Sequence, residues 1–308
     1  MFIKGLHTAL RGIRGSSEFQ LPDFSATKEL AVFTDFSDRS GPWRTYSFLC
    51  CPSEAAEDLC VKLAAIRAEF GVQDGRRFEY KSMKDKKRWQ AIQPWLAAFD
   101  SLPGVAFALL MRSDVISALK ANAPSEQEEL LKFAKETGLG DWSMTSSGGP
   151  ILEEAMRVVH SVSYLHAALT KGKAPLHWYC DNDEILAGDV RRSAIHRYLP
   201  MVTEKYCRAR VPSNLTTEDS MNGSPLRDFL SIPDLLSACV LEHQRGTESQ
   251  AKNMIAKAAV VGDWMREIRK LQKVALRVTA HESGKLWWQL YRPSFLAIEA
   301  AAHVDALQ

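Results

Sequence analysis

The chain has 308 residues, of which 46% are hydrophobic and 25% are charged, an ordinary composition for a globular protein that allows one large domain or two small ones. The formal net charge of +2 neither requires nor excludes a polyanionic partner, because acidic surface elsewhere can hide a local basic face. The sequence has neither an apolar run long enough to span a membrane nor the N-terminal apolar block of a secretory signal. We therefore expect a cytoplasmic protein.

Cysteine usage points to the same compartment. The six cysteines are scattered along the chain and include no Cys-x-x-Cys pair, a pattern typical of reduced core residues. A disulfide framework and a zinc site are both disfavoured.

The first part of the chain predicts an arm followed by a hairpin. Residues 1–24 show no clear period, and we expect a loosely attached, flexible arm. Residues 30–33 form a short apolar run that predicts a strand buried on both faces, closed by Asp35 and followed by turn residues. Residues 45–51 predict the antiparallel return strand.

The predicted elements continue as alternating helices and strands. Up to residue 173 they are a helix at 53–70, an extended segment at 76–83, a helix at 85–99, a strand at 104–111 and a helical insertion at 113–173 with a long helix at 151–169. Beyond it they are a strand at 176–180, a helix at 189–198, a strand at 206–211, a loop at 214–227, helices at 231–243 and 249–273, and a hairpin of strands at 274–279 and 286–291.

This alternation predicts an α/β fold. We divide the chain into the arm at 1–24, a main domain at 25–245 and a C-terminal helix and hairpin extension at 246–308.

Four acidic residues stand near the ends of predicted elements. Asp35 closes the first strand, Glu79 lies in the extended segment, Asp181 closes the strand at 176–180, and Asp234 lies in the first turn of a helix. Each has a structural explanation when taken alone, as a turn residue, an exposed residue of an edge strand or an acid near a helix N-terminus.

Together the acids suggest a metal site. If the strands that end at Asp35 and Asp181 are parallel neighbours, their carboxylates lie at one edge of the sheet, where two bare charges would repel. Mg²⁺ or Mn²⁺ would relieve that repulsion, because these hard cations take carboxylate oxygens. Two such ions about 3.5–4 Å apart support phosphodiester cleavage in nucleases. The sequence motifs of dinucleotide-binding sites, phosphate-binding loops, serine hydrolases and zinc proteases are absent.

The ordered set of acidic motifs resembles the ribonuclease H-like superfamily, and most of all the bacterial family called domain of unknown function 3800. The resemblance covers about residues 28–245 and rests on the short segments at 32–41, 78–82, 178–181 and 232–238. There are departures: Phe36 stands where the family has Glu, Pro233 replaces a small residue, and residues 237–238 read Ser-Ala instead of Ala-Gly.

The resemblance implies a mixed central sheet flanked by helices, a metal-dependent nuclease activity and a role for each acid. Asp35 and Asp181 would share two Mg²⁺ or Mn²⁺ ions, and Glu79 and Asp234 would each complete the shell of one ion. Lys81 would orient or neutralise the scissile phosphate. If the Glu that Phe36 replaces assists metal binding, that role passes to Asp38 or is lost.

Basic residues near these acids suit a nucleic-acid partner, whether RNA, DNA or a hybrid. Four of them closely follow Glu79 and could dock phosphates, although they also suit a solvated helix start: Lys84, Lys86, Lys87 and Arg88.

The sequence does not specify the oligomeric state. Two other functions are also compatible with it. One is a non-catalytic nucleic-acid-binding or protein-interaction module with docking surfaces at 113–173 and 246–308, which the Phe36 departure favours. The other is a metal-dependent hydrolase of small phosphoesters, which would not need the basic residues.

Overall fold

The structure is a computed structural model that describes residues 6–10, 21–36, 41–73, 76–115, 148–181, 184–246, 252–267, 269–280 and 286–291. In these residues a seven-stranded mixed sheet lies between two layers of helices. The predicted α/β class with a mixed sheet flanked by helices is confirmed. No helix in the described part of the chain combines the length and the apolar character that a membrane crossing requires.

The strands and helices have the following bounds. The strands are β1 (Leu30–Phe36), β2 (Trp43–Pro52), β3 (Gly104–Arg112), β4 (Leu176–Cys180), β5 (Ser213–Thr217), β6 (Leu271–Ala280) and β7 (Leu286–Tyr291). The helices are α1 (Ser53–Phe70), α2 (Lys86–Phe99), α3 (Gly148–Thr170), α4 (Asp189–Cys207), α5 (Ser231–Gly246) and α6 (Lys252–Arg266).

The strand order across the sheet is β5-β4-β1-β2-β3-β6-β7. Strand β1 pairs antiparallel with β2 on one side and parallel with β4 on the other, and β5 continues parallel to β4. Beyond β2 lie the antiparallel β3, then β6 parallel to β3 and β7 antiparallel to β6. The C-terminal ends of β1, β4 and β5 therefore meet at one edge of the sheet.

Side-chain alternation along β1 divides the core between the two faces. Leu30 and Val32 pack with α3 and α4, whereas Ala31 and Phe33 pack with α1, α2, α5 and α6. We call the second face the α5 face. A strand buried on both sides needs an apolar residue at every position, which explains why residues 30–33 carry no polar residue.

Several predicted elements are confirmed, including the hairpin β1–β2, helix α5 and the C-terminal hairpin β6–β7. Helix α1 ends at Gly71, whose φ of 62° is left-handed and lets its N–H reach the last turn of the helix. Helix α2 starts one residue later than predicted, because the Asp85 side chain caps it by accepting a hydrogen bond from the Arg88 backbone N–H at 3.1 Å.

The strand predicted at 206–211 is wrong. Helix α4 continues through Pro200 to Cys207, and the strand beside β4 is β5, which overlaps the start of the loop predicted at 214–227. This strand reads Ser-Asn-Leu-Thr-Thr and contains one apolar residue, Leu215, so it lacks the pattern that marks a strand.

Two other boundaries differ from prediction. The helix predicted at 249–273 ends at Arg266, and strand β6 begins at Leu271. The second half of the segment at 76–83 is a 3₁₀ turn at Tyr80–Lys84 instead of a continued extended chain.

The structure describes part of the predicted arm and part of the predicted insertion. In the arm, residues 6–10 are helical and bury Leu6 and Leu10 in the core beside α3, so this part is anchored, contrary to the expectation of a loose arm. In the insertion, helix α3 packs against the sheet through Val158 and Val162, while residues 116–147 lie outside the described residues. All six cysteines are described, and all are free thiols.

Candidate acidic site

Three acidic residues come directly after paired positions on three neighbouring strands of the sheet. Thr34 of β1 pairs with Cys180 of β4, and Cys180 pairs with Thr217 of β5. The next residues along the three strands are Asp35, Asp181 and Glu218. Since adjacent strands lie about 4.8 Å apart, the register places these acids side by side at one sheet edge. The expectation that the strands ending near Asp35 and Asp181 are parallel neighbours is confirmed.

All three acids share the α5 face. Side chains of a strand alternate, so Asp35 lies on the side of Phe33 and Asp181 on the side of Tyr179, both of which pack on the α5 face. Asp234 lies in the first turn of α5, on the same side of the sheet. The remaining acid, Glu218, is not predicted as a site residue, because the sequence predicts a loop at 214–227.

Phe36 lies on the opposite face of the sheet. Its ring approaches Tyr46 and Phe48, with centroids 5.9 and 6.4 Å away, and it packs against the core cluster of α3 and α4. A side chain at position 36 therefore lies on the face opposite to the one that carries Asp35. Asp38, the suggested substitute, lies outside the described residues.

The segment before the 3₁₀ turn brings an arginine and an acid to this edge. Phe78 is fully buried and stacks on Trp95 of α2, with ring centroids 4.0 Å apart. Its neighbours Arg77 and Glu79 reach the strand ends instead, and their side chains contact each other at 3.6 Å between Nη2 and Oε1. Phe78 thus anchors the segment that carries both charges.

The Arg77 guanidinium lies between three acids. Its Nη2 donates to Asp181 Oδ2 at 2.6 Å, and its Nη1 lies 3.3 Å from Glu218 Oε1. The Arg77 side chain is only 4% exposed. Burial alone would lower the pKa of Arg77, but the negative charges of Asp181 and Glu218 outweigh burial and raise that pKa. Arg77 is therefore a permanent positive charge inside the acidic cluster.

Glu218 has a second arginine partner. Arg227 contacts Glu218 Oε1 through both Nε at 2.8 Å and Nη2 at 2.7 Å. Burial, together with a hydrogen bond to Asp181 and the charge of that residue, nevertheless raises the pKa of Glu218 to about 7. Two arginines therefore do not neutralise the acids fully.

Asp234 is tied to the same segment. Its Oδ2 accepts a hydrogen bond from the Tyr80 backbone N–H at 2.6 Å. Burial raises the pKa of Asp234 to about 6, and the charges of Glu79 and Asp181 add to the effect against the opposing influence of the hydrogen bond and of Arg77. Asp234 is a partly desolvated carboxylate with an orienting backbone donor.

The predicted basic residues lie in the 3₁₀ turn and in the first turn of α2 that follow Glu79. Lys81 is 83% exposed, and its Nζ lies 3.3 Å from Glu79 Oε2. Lys84 and Lys86 are exposed, Arg88 is half-buried, and Lys87 donates to the Gly71 carbonyl at 3.1 Å. Lys81 therefore reaches an acid of the cluster directly.

The structure thus brings the four predicted acids to one region and adds Arg77, Glu218 and Arg227. Carboxylate oxygens are the ligands that Mg²⁺ and Mn²⁺ prefer, so the chemistry of the donors fits such an ion. The present spacing does not, because among the described residues no group of three or more acidic, histidine or cysteine side chains has metal-binding geometry. Arg77 lies where the acids would have to converge.

Comparisons of the chain with known protein families, with curated proteins and with solved structures find no match.

Proposed function

We propose that the chain is a metal-dependent nuclease with a ribonuclease H-like fold that hydrolyses phosphodiester bonds of RNA or DNA. The observation that carries this proposal is the convergence of Asp35, Glu79, Asp181 and Asp234 on one edge and one face of the sheet. These acids come from four separate segments of the chain, the first and last about two hundred residues apart. Such convergence is unexpected if each acid only caps its own turn or helix.

The sheet supports the fold part of the proposal. An antiparallel run β1–β2–β3 is extended beyond β1 by the two parallel strands β4 and β5. This arrangement is compatible with the mixed sheet that the motifs predict.

Charge supports the metal part. The site holds five carboxyl groups, counting Glu218, against the two buried or half-buried guanidinium groups of Arg77 and Arg227. Carboxylates gathered in this way need further positive charge to ionise together. When bound, Mg²⁺ or Mn²⁺ would supply that charge, activate a water molecule and stabilise the leaving oxygen.

The chain's residues would then have separate tasks. Asp35 and Asp181 would hold the ions between them, with Glu79 and Asp234 completing their coordination. Lys81 is exposed beside Glu79, where it would neutralise the scissile phosphate. Lys84 and Lys86 would contact the phosphates that follow.

A second function is favoured by one observation. The Arg77 guanidinium already neutralises part of the cluster through its contacts with Asp181, Glu79 and Glu218. An acidic site that its own arginine stabilises could belong to a non-catalytic module that binds nucleic acid or protein on the same fold. The two functions differ in one testable respect: the nuclease cleaves nucleic acid and needs metal and Asp35 to do so, whereas the non-catalytic module does not cleave it.

The decisive experiment measures cleavage of labelled single-stranded RNA, single-stranded DNA, duplex DNA and RNA/DNA hybrid in Mg²⁺, Mn²⁺ or EDTA. The wild-type protein is compared with Asp35→Asn and with Asp58→Asn, a control that changes an exposed carboxylate on α1. We expect metal-dependent cleavage by the wild type and the control. In Asp35→Asn we expect a loss at least as large as the roughly 10–100-fold that removing a residue which supports a metal ligand costs.

Cleavage retained in Asp35→Asn would contradict the proposal. Retention of one polymer without cleavage in any metal would favour the binding module.

A further inference from the structure

A second polar cluster lies on the sheet, apart from the acidic edge. It consists of Glu29, which directly precedes β1, His177 of β4 and Thr216 of β5. His177 precedes Asp181 by four residues, which corresponds to about 13 Å along an extended strand. The side chains of Glu29 and His177 are 30% and 23% exposed, and Thr216 is also partly exposed, so the cluster is open to solvent.

The imidazole ring of His177 bridges a hydroxyl and a carboxylate. Its Nε2 lies 2.8 Å from Thr216 Oγ1, and its Nδ1 lies 3.6 Å from Glu29 Oε1. The ring stacks on that of Tyr179, with centroids 4.3 Å apart and planes 7° apart, which restricts its orientation. Glu29 Oε1 also accepts a hydrogen bond of 3.0 Å from the Ser53 hydroxyl, so the carboxylate is held from a second side.

The charge of Glu29 determines which nitrogen of His177 carries the proton. A carboxylate only accepts hydrogen bonds, so the neutral ring places its N–H at Nδ1, towards Glu29. Nε2 is then an unprotonated acceptor, and the Thr216 hydroxyl donates to it. Burial lowers the pKa of His177 against the opposing effect of Glu29, so the ring is neutral at neutral pH. A hydroxyl bonded to a neutral imidazole that a carboxylate orients is the arrangement that activates a nucleophile in hydrolases.

The surroundings of Thr216 restrict the substrate. Thr216 is in register with Tyr179, which is only 9% exposed and leaves little apolar surface beside the hydroxyl. A short acyl chain therefore suits this position better than a long one. Strand β5 is the outermost strand of the sheet, and such a strand has N–H groups that point away from its neighbour, where they can stabilise an oxyanion.

We propose that Thr216, His177 and Glu29 form an acyl-transfer site that hydrolyses activated esters of short-chain carboxylic acids. Thr216 Oγ1 is the nucleophile, His177 is the general base, and Glu29 is a positioning residue that acts through His177. This site uses none of the acids of the proposed nuclease, so the inference goes beyond that function and does not rest on it.

The reaction has two halves. In the first, Thr216 Oγ1 bonds to the carbonyl carbon and its proton passes to His177 Nε2; the bond to the leaving alcohol then breaks, and the alcohol oxygen takes that proton. In the second, a water molecule gives a proton to Nε2 and attacks the acyl-threonine, which releases the carboxylic acid and restores the hydroxyl. The net reaction consumes one ester and one water and yields one acid and one alcohol. Glu29 stabilises the imidazolium in both halves.

Reaction of the full chain with 4-nitrophenyl acetate tests the site. The wild type is compared with Thr216→Val and His177→Gln and with two controls, Ser213→Ala and His196→Gln. Ser213 carries a hydroxyl on the same strand that donates to a backbone carbonyl, and His196 is an exposed histidine of α4. Release of 4-nitrophenolate gives the rate, and mass spectrometry of the acid-quenched, digested protein locates the acetyl group.

We expect the wild type and both controls to carry an acetyl group on Thr216. Thr216→Val should carry none at this position. His177→Gln should acquire it at least about a hundredfold more slowly, which is the loss expected when a general base is removed.

The pH profile distinguishes positioning by Glu29 from a structural role. Because Glu29 raises the pKa of His177, Glu29→Gln should lower the plateau of the acetylation rate and move the rise of that rate to lower pH. A lower rate with an unmoved profile would overturn the role of Glu29.

Two outcomes would overturn the whole site. One is acetylation of the wild type at lysine side chains only, with release of 4-nitrophenolate no faster than in Thr216→Val. The other is an equal rate of acetylation at Thr216 in the wild type and a folded His177→Gln. The first outcome needs no variant of His177, so the proposal stays falsifiable if that variant does not fold. Cleavage of nucleic acid is not a readout, so either result leaves the nuclease proposal to its own test.

Discussion

Tyr80 and Asp234 are joined by a hydrogen bond of 2.6 Å, from the Tyr80 backbone N–H to Asp234 Oδ2. This bond ties the segment that carries Arg77 and Glu79 to the first turn of α5. Asp234 therefore has a backbone hydrogen-bond partner in addition to the proposed ion.

Replacing Asp234 by Asn should stabilise the metal-free protein at high pH. Burial raises the pKa of Asp234 from 3.8 to about 6, so the folded state binds a proton more tightly than the unfolded state, and this contribution is lost as pH rises through about 6. The amide oxygen of Asn still accepts from Tyr80. We expect Asp234→Asn to gain about 1–3 kcal/mol at pH 8 in EDTA and little at pH 4.

Urea denaturation of the wild type and Asp234→Asn at the two pH values measures this difference. A variant less stable than the wild type at pH 8 would show that the charge of Asp234 is compensated without metal.

Acid should destabilise the fold through His160. Its ring nitrogens contact the hydroxyls of Tyr206 at 2.8 Å and Tyr198 at 2.9 Å, and burial, assisted by the charge of Lys205, lowers its pKa from 6.5 to about 4. Below pH 6.5 the unfolded state binds a proton that the folded state does not, so stability falls until pH 4, by up to about 3 kcal/mol.

His160→Gln should remove this loss of stability. The free energies of unfolding of the two proteins, measured at intervals between pH 8 and pH 4, should approach each other as the pH falls. A difference that stays constant over this range would contradict the lowered pKa of His160.

Arg67 should be far more important for stability than its exposed neighbour Arg76. Loss of the Arg67 side chain leaves the Asp228 carboxylate half-buried without its charge partner and removes the donors to two backbone carbonyls. We expect Arg67→Met to lose about 3–5 kcal/mol in urea denaturation and Arg76→Gln to change by at most about 0.5 kcal/mol. Similar losses in both variants would contradict the importance of these bonds.

Exposed lysines beside the acids should contribute to nucleic-acid affinity. Lys84→Glu and Lys86→Glu together should weaken binding and reduce the salt dependence of the affinity by about two phosphate contacts. Lys28 is also exposed but precedes the N-terminal end of β1, whereas the acids lie at its C-terminal end. Lys28→Glu is therefore a control for the change of charge alone. Equal effects from the two edges, in fluorescence anisotropy at several salt concentrations, would refute a localised contact surface.

The sequence predicts the buried strands and their terminal acids well, because these signals are local. Residues 30–33 read as a strand between two apolar layers, Asp35 follows them after Thr34, and Asp181 directly follows the last residue of β4. The side of the sheet that Phe36 faces also follows from alternation, once the strand is known to extend to that residue.

Other parts of the site depend on contacts between distant residues. Strand β5 is stabilised by pairing with β4, and its own five residues do not indicate this pairing. Without the strand, the sequence gives no reason to place Glu218 beside Asp181. The position of Arg77 depends on Phe78 stacking on Trp95 of a later helix. Neither a polar edge strand nor a long-range anchor leaves a periodic pattern, so no inspection of the local sequence could have found them.

The anchoring of Phe78 couples the two charges beside it. Because Arg77 and Glu79 flank one buried ring on an extended segment that Asp234 holds at Tyr80, the backbone positions of these two residues beside the strand ends are set together. Insertion or deletion of a single residue between Phe78 and Tyr80 would turn Glu79 or its replacement away from the strand ends. The spacing of this short segment is therefore as strict a requirement for the site as the identity of its acids.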